Sequence, residues 1–120
     1  MQINERQKDV RVWRDADGTL RSNVKHLAHH SPTGFECGYG GSGPADLALS
    51  ILAAFVPARP GVPTERLYNG ARCSRFAWVH HQPFKSAFIA TLPKEGGVIR
   101  ADEIREWILA RMSADVEAGG

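Results

Sequence analysis

Between Gly38 and Gly43 the chain carries four glycines in six residues, and Pro44 follows at the head of an apolar run. Glycine permits positive φ and close backbone approach. Proline suits the first turn of a helix, where its missing N–H costs nothing. A tight, shaped loop must therefore launch a helix here. Leu47, Ile51 and Phe55 recur at four-residue spacing with Ala48 and Leu52 alongside, so residues 44–55 are predicted as a core helix with one broad apolar face. Ser42 or Gly43 is the expected N-cap, and Asp46 is expected in the first turn, where the helix dipole favours a carboxylate. Pro57, Pro60, Gly61 and Pro63 stop the helix and form a stiff connection within one domain.

Around that helix the patterns are shorter. Val10, Arg11, Val12 and Trp13 alternate apolar and basic, which predicts a half-buried strand with Val10 and Val12 pointing one way. Asp15, Ala16, Asp17 and Gly18 form a turn, and Thr19–Leu20, then residues 24–27, supply the returning strand of a hairpin. Residues 29–34 read as loop, and 35–39 as a short strand entering the glycine loop. Residues 64–68 read as one helical turn closed by Asn69 and Gly70. Residues 72–81 fit either period, and 83–92 read as a helix ended by Pro93, with a strand reading open for Phe88, Ile89 and Ala90. Val98 and Ile99 suggest an edge strand. A last helix is expected over about 101–112, with Ile104, Trp107, Ile108 and Met112 on one face, Asp102 and Glu103 at its positive end and Arg111 at its negative end. The sum is an α+β fold: a small antiparallel sheet packed against about three helices, in a single domain over 10–112, with a frayed start at 1–9 and a flexible tail at 113–120.

At 120 residues the chain is long enough to bury a real core without a disulfide or metal staple. Its net charge of +2 is mild and its basic residues are scattered, so direct nucleic-acid binding is permitted rather than demanded. Two cysteines, Cys37 and Cys73, do not make a disulfide scaffold. The apolar run at 47–56 is too short to span a bilayer, and the polar start does not resemble a signal peptide. No membrane partner is expected, and a cytoplasmic location is the default.

Three chemistries are open to these residues. Gly38, Tyr39, Gly40, Gly41, Ser42 and Gly43 formally match the G-x-G-x-x-G pattern ahead of a helix, which could cradle an anion or nucleotide. Glu65 lies about where a ribose-binding acid would stand. Against this, Pro44 removes a donor, prolines occupy the place of a second parallel strand, and the chain has too few strands for a doubly wound sheet. His26, His29, His30, His80 and His81 with the two cysteines could support zinc, yet none of the recognised pair spacings is present. Cys37 beside the glycine loop could act as a nucleophile with a histidine base, but no acid is placed to orient the pair. No secure reaction emerges, and no cofactor, catalytic residue or metal ligand is assigned. Tyr39, flanked by glycines, could instead project outward and form an interface patch with Arg72 and Arg75, or tuck against the first helix.

Residues 35–52 resemble a family of small bacterial, phage and plasmid proteins known only as a domain of unknown function. That family carries the signature Phe-Glu-Trp-Gly-Tyr-Gly-Gly-Ser-Gly-Pro-Ala, matched here from Phe35 to Ala45 with Cys37 in place of Trp. The stretches from His30 to Gly34 and His81 to Lys85, and the Asp102-Glu103-Ile104 start of a helix containing Trp107, are similar too. The Cys37 substitution argues for an apolar packing position rather than a family nucleophile. The resemblance implies a mobile-element setting, in which small proteins bind and block host machinery. The expectation is a non-enzymatic binding protein that docks on a host protein or ribonucleoprotein complex, with a defence nuclease such as a CRISPR effector as one such target. The binding surface would be Gly38, Tyr39, Gly40, Gly41, Ser42 and Gly43 with Arg72 and Arg75. A small anion-binding domain and a zinc-supported fold are the alternatives.

Overall fold

A computed structural model describes residues 3–27, 29–30, 34–68 and 70–117, with residues 116 and 117 described by backbone only. The first strand, β1 (Val10–Arg14), buries Val10 and Val12 and turns Arg11 and Trp13 outward, as alternation requires. The chain reverses at Gly18, whose φ of +86° is the left-handed conformation the turn needs, and Asp15 and Asp17 carboxylates accept the Thr19 N–H. The returning strand β2 is confined to Leu20–Ser22; residues 24–27 leave the sheet instead of extending it. A later strand, β5 (Gly96–Ile99), pairs antiparallel with the other side of β1, so the sheet order is β2-β1-β5 with β1 central.

Helix α1 (Ser42–Phe55) starts two residues before Pro44, and its N-cap is Gly41, without a side-chain cap. Its residues from Gly43 to Leu52 are all buried, so the helix is enclosed on every side rather than amphipathic. Leu47, Leu49, Ile51, Leu52 and Phe55 are fully buried, each worth about 2 kcal/mol relative to exposure. Asp46 lies past the first turn and points inward, and does not serve the dipole.

The expected helical turn at 64–68 is a strand. β3 (Thr64–Arg66) pairs antiparallel with β4 (Arg72–Ser74), with Leu67 N–H donating to the Ala71 carbonyl and Gly70 at φ +86°. Pairing across the turn wins over any local helical preference, because five residues make a marginal helix. Ser74 then caps α2 (Arg75–Phe84): its hydroxyl oxygen accepts from the Ala77 N–H and its O–H donates to the Val56 carbonyl. The helix expected over 83–92 therefore begins eight residues earlier, and Pro83 sits inside it. Residues Lys85–Ile89 continue it as a wider π-type turn, in which the Ala90 N–H donates to the Lys85 carbonyl. The strand reading of 88–90 fails with it. Residues 35–39 form no strand either.

α3 (Ala101–Glu117) buries Ile104 and Ile108 and places Asp102 and Glu103 in its first turn. It runs past Met112 into the segment expected as tail, so Arg111 stands inside the helix and stacks on Trp107, 4.7 Å from the ring centre. Where fraying was expected, Asn4 N–H donates to the Phe55 carbonyl at 2.6 Å and Arg105 donates to the Glu5 and Gln7 carbonyls. Asp9 accepts from the Ala101 N–H at 2.7 Å and so caps α3 from ninety-two residues away. Parts of the sequence reading that rest on Ser31, Pro32, Thr33, Asn69 and residues 118–120 lie outside the described residues. The architecture is α+β, with two small antiparallel sheets and three α-helices among the described residues.

Candidate functional site

The glycine loop is fixed from both sides. Gly38 has φ +83°, donates its N–H to the Ile89 carbonyl at 3.1 Å, and would bring a Cβ into a tight 3.2 Å contact with the Leu92 carbonyl oxygen. The π-type turn after α2 is what presents that carbonyl to the loop. Gly43 packs on Glu36, where a Cβ would come within 2.8 Å of the Glu36 Cβ. Gly41 sits against the Tyr39 ring, and a Cβ there would require that ring to shift. Tyr39 is therefore propped on its own loop, half exposed at 50%. The ring lies against Gly41 of its own loop with half of its surface open. Lys85 Nζ lies close to Gly40.

Below Tyr39 runs a hollow of about 400 Å³ whose polar lining includes Asp17, Thr19, Glu36 and Ser42. Glu36 is held by Arg14 through two N–H···O contacts of 2.8 and 3.3 Å, and the same guanidinium donates to the Gly18 and Lys94 carbonyls. The fork holds the Glu36 carboxyl below its usual range and ties hairpin, loop and the 93–95 turn together. Carboxylates at the mouth of this loop disfavour the anion cradle that the glycine pattern suggests. Among the described residues no two strands pair in parallel, so the βαβ frame of a dinucleotide site is missing, and Glu65 is paired with Arg75.

Arg72 and Arg75 stand elsewhere. Arg72 donates to Thr64 Oγ1 and lines a hollow with Ala53, Ala54 and Ala58, beyond the far end of α1. Fourteen helical residues, about 20 Å, separate that end from the glycine loop. The structure does not bring the three parts of the expected patch together.

A second cluster was not legible. Asp46 and Ser50, four apart on one stripe of α1, hold the backbone of residues 27–30: Ser50 Oγ accepts from Leu27 N–H at 2.8 Å, and the Asp46 carboxylate accepts from His29 and His30 N–H, the latter at 2.7 Å. His26 Nε2 also lies 3.3 Å from Asp46. This places His30 against His81 of α2, with 2.9 Å between their Nε2 atoms. His81 Nδ1 donates to the Trp78 carbonyl at 2.6 Å, so in the neutral pair His30 Nε2 carries the shared proton. Burial lowers the pKa of both rings, with neighbouring imidazoles adding to the effect. His29 Nδ1 accepts from the Tyr68 N–H, and its ring meets Trp78 edge-on. His80 belongs to another face, paired with Asp115 at 3.0 Å.

The cysteines do not join these histidines. Cys37 is buried with Sγ 3.3 Å from the Pro93 carbonyl, and burial pushes its thiol pKa up; Cys73 lies at the far end of α1 with its pKa raised to about 11. Both are thiols packed in the core at neutral pH, which removes the basis for a Cys37 nucleophile. No group of three or more His, Cys, Asp or Glu among the described residues is arranged to hold a metal ion. No helix among them is long and apolar enough to cross a membrane.

Residues 4–62 match the model of a family described as a family of unknown function, DUF6166. The match spans the first hairpin, the glycine loop and α1, and stops before β3. No curated protein and no solved structure matches the chain.

Proposed function

We propose that the chain is a non-enzymatic binding module whose docking surface is the glycine loop carrying Tyr39. The observation that carries this reading is the half-exposed Tyr39 ring held over Gly41 on a loop pinned at Gly38 and Gly43. A large aromatic whose position is already fixed loses little entropy on binding, which is the character of an interface anchor. Gly40, Ser42 and the nearby Lys85 complete the surface; Arg72 and Arg75, at the other end of α1, are outside it. The resemblance of residues 35–45 to the phage and plasmid signature suggests the setting: a cytoplasmic protein of a mobile element that occludes a host protein or ribonucleoprotein, a defence nuclease among the targets.

The test is capture of partners from host lysate by the tagged chain, with and without nuclease, in parallel with Tyr39→Ala. The expected result is a stoichiometric protein partner that survives nuclease and is reduced at least tenfold by Tyr39→Ala, while Arg72→Ala and Arg75→Ala leave it unchanged. Tyr39→Ala should keep the thermal midpoint within a few degrees of the parent. Capture indifferent to Tyr39, or recovery only in the presence of nucleic acid, would overturn the reading.

A further inference from the structure

The sheet order leaves β2 at an edge, and the bonding pattern shows which of its groups are unused. Asp15 N–H donates to the Thr19 carbonyl and Asn23 N–H to the Arg11 carbonyl, so residues 19, 21 and 23 face β1. Antiparallel alternation then turns the N–H and C=O of Leu20 and Ser22 to the free edge. Among the described residues these four groups have no hydrogen-bond partner.

That edge is bordered by open space. The hollow below Tyr39 shares Thr19, Leu20, Gly34 and Phe35 with a second hollow of about 320 Å³ that runs on past Ser22 to His26. Together they form a slot along β2 from Tyr39 to His26. Its charge is uneven. Glu36 is neutralised by Arg14, whereas Asp17, which lines the same hollow as Tyr39, makes no ion pair among the described residues, its nearest cation Arg21 being paired with Asp15.

We propose that β2 is a docking edge, at which an extended segment of a partner protein adds as a further antiparallel or parallel strand and seats a lysine or arginine side chain between Asp17 and the face of Tyr39. Backbone bonds to Leu20 and Ser22 supply register, the aromatic face and carboxylate supply selectivity for a cation, and Phe35 forms the floor. This rests on the reading of the chain as a binding module and names how the partner is held. The other sheet edge, β5, borders no such slot among the described hollows and presents Val98 to solvent.

The test uses the full chain, labelled with ¹⁵N, titrated with a blocked six-residue peptide alternating valine and lysine. Three counterparts accompany it: one with glutamate for lysine, and a pair with N-methyl groups on alternate residues, one in each register. The expected result is movement of the Leu20, Ser22 and Tyr39 amide resonances, abolished by N-methylation in one register only, weakened at least tenfold by glutamate and about threefold by Asp17→Asn. Shifts confined to β5, binding indifferent to N-methylation in both registers, or no shift at millimolar peptide would each overturn strand addition. Tyr39-dependent capture of a nuclease-resistant partner alongside a silent β2 would overturn this mode of docking alone and leave the binding module standing.

Discussion

Replacing Asp46 by alanine should loosen the joint between α1 and residues 26–30, and the structure gives the size of the effect. The carboxylate accepts from two backbone N–H groups, at 2.7 Å for His30 and 3.1 Å for His29, and approaches His26 Nε2. A hydrogen bond to an ionised acceptor contributes about 1.5–3 kcal/mol, so two give roughly 3–6 kcal/mol before offsets. Removing a buried carboxylate recovers some desolvation, and water can reach N–H groups on the half-buried His29 and His30, which reduces the loss to about 3 kcal/mol. With an unfolding entropy of about 2.1 cal/mol/K per residue, a 120-residue chain loses roughly 4 °C per kcal/mol, or about 12 °C in all. Ser50→Ala removes one neutral bond to Leu27 N–H and should lower the midpoint by only about 4 °C. Calorimetry at pH 7.5 measures both. Faster exchange of the imidazole proton shared by His30 and His81 should accompany Asp46→Ala and not a core truncation of similar cost. An Asp46→Ala midpoint no lower than that of Ser50→Ala would refute the account of this joint.

Further outcomes follow from the same geometry. Gly96 has φ +99°, and a Cβ there would run into the Val12 carbonyl, so Gly96→Ala should destabilise by at least about 3 kcal/mol and split β5 from β1, read as lost amide protection at Val10 and Val12. His30 and His81 hold folded pKa values below the unfolded value near 6.5, so the unfolded chain binds more protons on acidification. Their contribution to stability is complete above that value and is lost as pH falls from it through the lower folded values. A His30→Gln/His81→Gln variant should show a shallower fall of midpoint between pH 7.5 and 5, and equal slopes would contradict the assignment. Pro83→Ala restores an N–H that can bond the Val79 carbonyl and favours α-helical register downstream; it should hold or raise the midpoint while weakening Tyr39-dependent capture through loss of the Ile89–Gly38 contact.

Elements specified by local pattern were legible in the sequence, and those specified at a distance were not. The β1–β2 turn shows itself through Asp15, Asp17 and Gly18, α1 through Pro44 and its apolar spacing, and the start of α3 through Asp102 and Glu103. The β3–β4 hairpin is missed because Thr64–Arg66 is three residues with no periodicity, and only its partner strand defines it. α2 is misplaced because proline was read as a boundary. Its ring carries no N–H for the Val79 carbonyl, and Val79 is 56% exposed, on the face of the helix where such a loss costs least. Ser74 was the available signal, a good N-cap immediately before the helix. Asp46 and Ser50 look like solvent-facing polar residues on any helical projection, and only the enclosed packing of α1 turns them to the 27–30 backbone.

Residues 35–45 and the segment that begins α2's π-type continuation are distant in sequence and meet in space. Continuing α2 beyond Pro83 as a π-type turn changes which carbonyls stay within the helix, and the Ile89 carbonyl goes to Gly38. Lys85, the first residue of that turn, reaches Gly40. Gly38 and Gly43 are therefore explained without a ligand, Gly38 by its left-handed φ and the close Leu92 carbonyl and Gly43 by its packing against Glu36. Gly41 meets only the Tyr39 ring, and Gly40 has space for a side chain. What packing does not explain is the aromatic residue set among them. An alanine at position 39 would serve the same backbone, whereas a tyrosine with half its surface open adds exposed apolar area that folding gains little from. The conformation of the loop thus follows from structure, and the identity of residue 39 is where a partner enters the argument.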